Sequence, residues 1–396
     1  MGKNQTHPEG DGKKTRWTSE EAIDYECARG LISDYHAIVS FRIGEARANP
    51  RLDPKKPKIL YGPHLSLYDR MIGLHVHDRE AVARTLEEFP RYIRAWREQW
   101  KDFERVGVRP NPETYRLSEK EHQIIFSRDI KPQLFSKPEQ VDRPVAVFIG
   151  GQPGAGKTAA VDAASEELDE RGGAVQIIAE DLRSFHPFHD RLMIEDDETA
   201  AFLTNDTVEK WIKKTLAKVK AKRVNVVIED TMADGKKVTA AMRNLRKAGY
   251  EIDVRALAVD WNSSERHVER RREKQKELRG YGRVRPAEAR RAAYEGMLTT
   301  LARVESRKMA DRVTIDRLGN VSVYANELQN GEWSRKPMAK AVAMAERAFF
   351  ATSRWRRSFS EGFAESGGPP KVPELQVDDE TVLKMMILWS RLPPCE

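Results

Sequence analysis

Eight consecutive residues, Gly151-Gln152-Pro153-Gly154-Ala155-Gly156-Lys157-Thr158, constrain this chain more than any other feature. They form a G-x-x-x-x-G-K-[ST] run directly after the apolar run Val145 to Ile149 and directly before a segment of helical periodicity. Glycines in a strand-to-helix turn let the backbone curl until successive N–H groups point at one spot, and the helix N-terminus adds positive potential there. Such a cradle takes the phosphates of a nucleoside triphosphate. Lys157 neutralises their charge and the Thr158 hydroxyl is placed to ligate Mg2+.

From Val145 onward, short β-branched runs alternate with longer amphipathic segments: Val145 to Ile149, Val175 to Ile178, Val224 to Ile228 and Ile252 to Val259. That alternation predicts a parallel sheet with helices on both faces. Gly172 and Gly249 fall where helices end, and Val313 to Ile315 with Val321 to Tyr324, joined across Gly319-Asn320, predict a closing hairpin. The fold class is therefore α/β: a P-loop core with a mainly parallel sheet, flanked by helical regions at both ends.

Those flanks read as follows. Residues 1–16 read as a disordered tail; its start, Met1-Gly2-Lys3-Asn4-Gln5-Thr6, matches a short and common N-myristoylation pattern, and a plain disordered leader is the preferred reading. A helical region covers 17–117, opened by the capping box at Thr18 to Glu21, with a second helix from about Arg79 to Phe103 whose apolar positions keep helical spacing. The Pro-containing stretch Val108 to Thr114 reads as a linker, and Ser118 to Glu121 is a second capping box that opens the core domain, 118–330. A C-terminal helical extension, 331–396, holds a segment near Ala339 to Ser353, a Gly/Pro linker at Gly367 to Pro370 and a last helix carrying Val382, Met386 and Trp389.

Composition narrows the setting. No apolar stretch approaches the ~20 residues needed to cross a bilayer, so no membrane-spanning segment is expected. The two cysteines, Cys27 and Cys395, lie near opposite ends of the chain and exclude a disulfide framework, which suits a reducing cytoplasm. With 69 basic against 62 acidic residues the formal charge is +7, a small excess. In the most basic stretch Glu265, Glu269, Glu273 and Glu277 alternate with arginines and lysines, the pattern of a solvated helix, which argues against nucleic acid. His75 and His77 would not face the same way on a helix and have no cysteine beside them, so no transition-metal site is expected.

In an open parallel sheet, ligands gather at the carboxyl ends of the strands. Asp181, Glu229 and Asp260 all fall there, and a carboxylate facing the P-loop can accept the proton of a substrate hydroxyl during phosphoryl transfer. For each, capping a strand or helix is the competing role.

The P-loop, together with Glu180-Asp181-Leu182-Arg183-Ser184-Phe185-His186-Pro187 and Val227-Ile228-Glu229-Asp230-Thr231, resembles the zeta toxin family of P-loop kinases. Glu269-Arg270 and Arg283-Val284-Arg285-Pro286 look like that family's two arginine sites, and the resemblance runs from about Ser118 to Tyr324. It implies transfer of the ATP or GTP γ-phosphate, with Mg2+, to a sugar hydroxyl of UDP-N-acetylglucosamine. Asp181 would be the base, Lys157, Arg270 and Arg283 would stabilise charge, and Glu229, Thr231 and, by a looser match, Glu209 would hold the acceptor. Where the family commonly has an arginine two residues after the Thr of its Glu-x-Thr stretch, this chain has Ala233.

A nucleotide-sugar and a dinucleotide such as NAD both present a diphosphate and a free hydroxyl, so both remain open as acceptors. A polynucleotide-end kinase and a non-catalytic nucleotide-binding interaction protein are the other readings. The resemblance also implies a neutralising antitoxin or a chaperone as partner, and a cytoplasmic toxin, with delivery into a target cell left open.

Overall fold

The computed structural model describes residues 16–48, 64, 66–100, 115–195, 197 and 200–349. The leader up to residue 15, the linker Val108 to Thr114, the Gly367 to Pro370 linker and the helix expected around Val382 to Trp389 lie outside the described residues, as does Cys395.

Among the described residues seven strands form one sheet in the order β2-β3-β1-β4-β5-β6-β7. They are β1 Val145–Gly150, β2 Ala174–Ile177, β3 Asn225–Asp230, β4 Glu251–Leu257, β5 Arg312–Arg317, β6 Val321–Gln329 and β7 Glu332–Trp333. The first five pair in parallel, and β6 and β7 close the edge antiparallel. Gly319 and Asn320 both take positive φ, 84° and 62°, which turns the chain tightly between β5 and β6 as the Gly-Asn pair predicts.

The central strand explains the layering. Every residue of β1 is buried, as a strand covered on both faces requires. Side chains alternate across the sheet: Val145, Val147 and Ile149 pack with Val161, Ala164 and Leu168 of the P-loop helix Lys157–Asp169. Ala146 and Phe148 belong instead to a larger cluster with Met242 and Leu245 of helix Gly235–Lys247 and Met297 and Leu301 of helix Ala287–Ser306.

That larger cluster also contains Tyr25, Leu31, Ile32 and Ile38 of the N-terminal helix Ser19–Ala48 and Phe89 and Ile93 of helix Arg79–Trp100. The N-terminal helices therefore share an apolar core with the sheet. The first begins as expected: the Glu21 amide donates to Thr18 Oγ1 at 3.2 Å and the Thr18 amide to Glu21 Oε2 at 2.8 Å. Ser118 and Glu121 form the same reciprocal box ahead of helix Glu119–Ile125. Among the described residues no helix is long and apolar enough to cross a membrane.

Candidate active site

The strand β1, the P-loop and the helix Lys157–Asp169 follow one another without a break, so the phosphate cradle stands at the carboxyl edge of the sheet's centre. Gly154 and Gly156 take φ of 81° and 83°, the left-handed region that glycine enters without steric cost. Pro153, Gly154, Gly156, Lys157 and Thr158 line a cleft of about 340 Å3, whereas Gly151, Gln152 and Ala155 stand behind them, buried. Gln152 braces the loop: its Nε2 donates to Val259 O at 2.7 Å and to Ser264 Oγ at 2.6 Å, and its carbonyl accepts from Lys157 Nζ at 3.2 Å.

Glu229, near the end of β3, faces the same loop. Its carboxylate lies 3.7 Å from Lys157 Nζ and accepts from Thr158 Oγ1 at 3.3 Å. Burial pulls the Lys157 ammonium down from its ordinary range, with Glu229 opposing, and burial pushes Glu229 up, with Lys157 opposing. Two hard oxygen donors, the Thr158 hydroxyl and the Glu229 carboxylate, thus meet beside the cradle, which is the donor type Mg2+ prefers. Thr231 lines the cleft just beyond, and Glu209 lines it from helix Ala200–Lys222, paired with Lys237 at 2.8 Å.

Asp181 sits in the first turn of the short helix Ala179–Arg183 after β2, buried and facing the cleft. Arg29, from the N-terminal helix, donates to its Oδ2 at 2.7 Å. Burial pushes the Asp181 carboxyl up and Arg29 pulls it back down, with the net direction upward. Arg29 is itself fixed by Tyr25 OH and Met71 O, each at 3.1 Å, and by Gln176 Oε1 at 2.9 Å. Nothing in the local sequence marks it as a partner of Asp181.

The arginines divide. Arg283 lines the cleft and pairs with Glu180. Burial and the neighbouring Arg285 and Arg183 draw its guanidinium down while Glu180 draws it up, and it stays charged at neutral pH. Burial also pushes Glu180 up, but Arg283 and Arg183 outweigh it and hold that carboxyl at about 2. Arg270 does not reach the cleft: its side chain is 59% exposed and pairs with Glu20 at 3.4 Å. Arg271, the next residue, lines the cleft and pairs with Glu26.

The missed signal is the buried stripe of helix Trp261–Arg279. Ser264, Val268, Gln275 and Arg279 mark its inward face, and Arg271, three residues after Val268, falls on that face, while Arg270 points about 100° away. Glu269, Glu273 and Glu277 are exposed, in keeping with the solvated face. Asp260 takes its capping role, accepting from the Ser263 amide at 3.0 Å at the start of this helix.

Comparison with known proteins places the chain among relatives. The family model described as Zeta toxin matches residues 131–329, about half of the chain. Toxin PezT of Streptococcus pneumoniae is 32% identical over 119 residues, covering 30% of this chain and 46% of that toxin. Toxin zeta of Streptococcus agalactiae is 31% identical over 121 residues, 30% of this chain and 41% of that toxin. The chain thus spans less than half the length of these curated relatives. A chain from the solved PezAT chromosomal toxin-antitoxin system of Streptococcus pneumoniae superposes with a TM-score of 0.50 at 18% identity, over 70% of this chain and 98% of that one, which shows a shared fold. With a P-loop, a cleft-facing Asp181 and a family match over half of the chain, from helix Lys131–Leu134 through β6, the chain belongs to the zeta toxin family.

Proposed function

We propose that this chain is a phosphotransferase that moves the γ-phosphate of ATP or GTP onto a hydroxyl of UDP-N-acetylglucosamine or a chemically similar nucleotide. The observation that carries the reading is that Asp181 and the P-loop residues Lys157 and Thr158 line one cleft. In the reaction the bond from the γ-phosphorus to the β–γ bridging oxygen breaks and a bond to the acceptor oxygen forms. Asp181 takes the acceptor's proton. Arg29 holds Oδ2, and Oδ1 makes no hydrogen bond among the described residues, so the carboxylate is oriented with one oxygen left for the acceptor.

Lys157, Arg271 and Arg283 offset the charge on the transferred group, the main contribution in a reaction that depends on positioning and neutralisation. Thr158 and Glu229 are the residues that would hold Mg2+, which when bound shields the phosphate oxygens. Thr231 and Glu209, farther along the cleft, hold the acceptor. Arg285 lines the same cleft with no ion-pair partner among the described residues, so its charge is available to an acceptor's diphosphate. The helix Trp261–Arg279 commits Arg270, Arg271, Lys274 and Arg279 to Glu20, Glu26, Asp24 and Asp34 of the N-terminal helix, which disfavours a polynucleotide acceptor.

By its family this activity is toxic to the cell that contains it, and an antitoxin or chaperone protein accompanies it. The test incubates the purified chain with ATP or GTP, Mg2+ and, separately, UDP-N-acetylglucosamine, related nucleotide-sugars and NAD, and reads each acceptor by mass spectrometry. A gain of one phosphate, lost in Lys157→Ala and Asp181→Asn, supports the reading. Unchanged mass for every acceptor sinks it.

A further inference from the structure

About one and a half to two and a half helical turns beyond Lys157, a second polar cluster faces away from the P-loop's own lining. Asp162 and Glu166 lie four apart on the P-loop helix, hence on one face, and Asp162 is 1% exposed. A buried carboxylate needs partners. The Val76 amide donates to Asp162 Oδ2 at 2.9 Å, and His75 Nδ1 lies 3.0 Å from Asp162 Oδ1 and 3.1 Å from Glu166 Oε1. One imidazole nitrogen therefore stands between two carboxylate oxygens, although a single N–H satisfies only one of them well. His77 Nε2 is 3.6 Å from the same Glu166 oxygen.

The two histidines reach one spot because residues 73–78 are not helical. Around the buried Val76 the chain sends both rings to the same side, stacked at 5.7 Å and 12°. The resulting Nδ1, Oδ1 and Oε1 all lie within 4.8 Å of one another, with Nδ1 3.0 and 3.1 Å from the two oxygens, so all three can turn towards one first-row divalent ion bound at about 2.0–2.2 Å. Zinc does not require cysteine, and imidazole with carboxylate is an accepted ligand set for it. The Val76 amide on the far oxygen of Asp162 is the kind of outer contact that orients a metal-binding carboxylate. Asp169 and Lys137 complete the charged lining of this cavity of about 320 Å3.

We propose that His75, Asp162 and Glu166, with His77 as a fourth ligand from the solvent side, bind a Zn2+-class divalent ion that ties the segment 73–78 to the P-loop helix. This site is chemically distinct from the oxygen donors Thr158 and Glu229, and the inference is independent of the phosphotransfer reading.

The test uses the full-length chain, stripped with a chelator and titrated without nucleotide with Co2+ as the visible probe and then Zn2+ as competitor. A single Co2+ per chain, with absorption bands of a four-coordinate N/O site, is displaced by Zn2+. His75→Gln and Glu166→Gln each weaken binding by about tenfold or more. Thr158→Ala leaves it unchanged. Should His75→Gln fail to fold, Glu166→Gln and His77→Ala, whose side chains keep 28% and 44% exposure, carry the same comparison. No uptake of Co2+, or undiminished uptake in these variants, overturns the proposal and leaves the cluster as an imidazole–carboxylate contact alone.

Discussion

Arg29 and Asp181, 152 residues apart in sequence, share a buried ion pair of 2.7 Å, and both line the cleft. The pair makes the N-terminal helix a wall of the candidate site. Arg29 opposes the effect of burial on Asp181, so Arg29→Met raises the Asp181 pKa further. In its proposed role as base Asp181 is idle when protonated, below that pKa, so the acid limb of the kcat/KM profile is expected to move to higher pH in the variant. The melting temperature falls as well, and falls least at low pH, where the unpaired carboxyl is neutral. An acid limb that stays in place removes Asp181 from the role of base.

Glu180 titrates at about 2, below its ordinary 4.5, so its contribution to stability is complete above pH 4.5 and is lost as pH falls towards 2. Its side chain keeps 32% exposure, which reduces the contribution to about 2 kcal/mol. Glu180→Gln should cost about that much at pH 7 and flatten the loss of stability between pH 4.5 and 2, read by chemical denaturation across pH.

Adjacent arginines should behave differently. Arg271→Ala, which empties a position facing the cleft, is expected to lower kcat by about 10²- to 10³-fold. Arg270→Ala breaks only an exposed pair with Glu20 and should stay within about twofold, since such pairs are worth well under 1 kcal/mol. Steady-state kinetics on the two variants decides between the registers.

Gly154 combines φ of 81° with a close approach to the Ser264 carbonyl, into which an added Cβ would run. Gly154→Ala should destabilise the fold by about 1–3 kcal/mol and abolish measurable nucleotide binding, seen by calorimetry with a non-hydrolysable analogue.

Arg347 lies on the helix over 339–349, beyond the part of the chain that the family model covers. It donates to Gln152 Oε1 at 3.0 Å and to Tyr294 O at 2.7 Å, and its guanidinium stacks 3.9 Å from the Tyr294 ring. Because Gln152 braces the P-loop, Arg347→Gln should raise the KM for nucleotide several-fold with a smaller change in kcat. A loss confined to kcat would mean that the brace acts elsewhere.

Much of the architecture was readable in advance because its causes are local. The P-loop closes within eight residues, the capping boxes at Thr18 and Ser118 within four, and the Gly319-Asn320 turn within two. The parallel strands announce themselves as apolar runs because a strand covered on both faces has no solvent side. Asp181 and Glu229 were legible through their position at strand ends, which the parallel topology turns into one edge of the cleft.

The rest depended on which faces the packing turned inward. A one-residue step on a helix rotates a side chain by about 100°, so Arg270 and Arg271 are indistinguishable as letters and opposite as groups. His75 and His77 looked incompatible on the assumption of a helix, and only the turn that holds Val76 in the core brings them together. By itself the sequence determined that this protein has a phosphate cradle on a parallel sheet, since short-range geometry and apolar periodicity suffice for that. The tertiary structure decided what confronts the cradle, Arg29, Glu26 and Arg271 among them, because those contacts form only when distant helices bury their shared apolar surface and carry their charges to the same place.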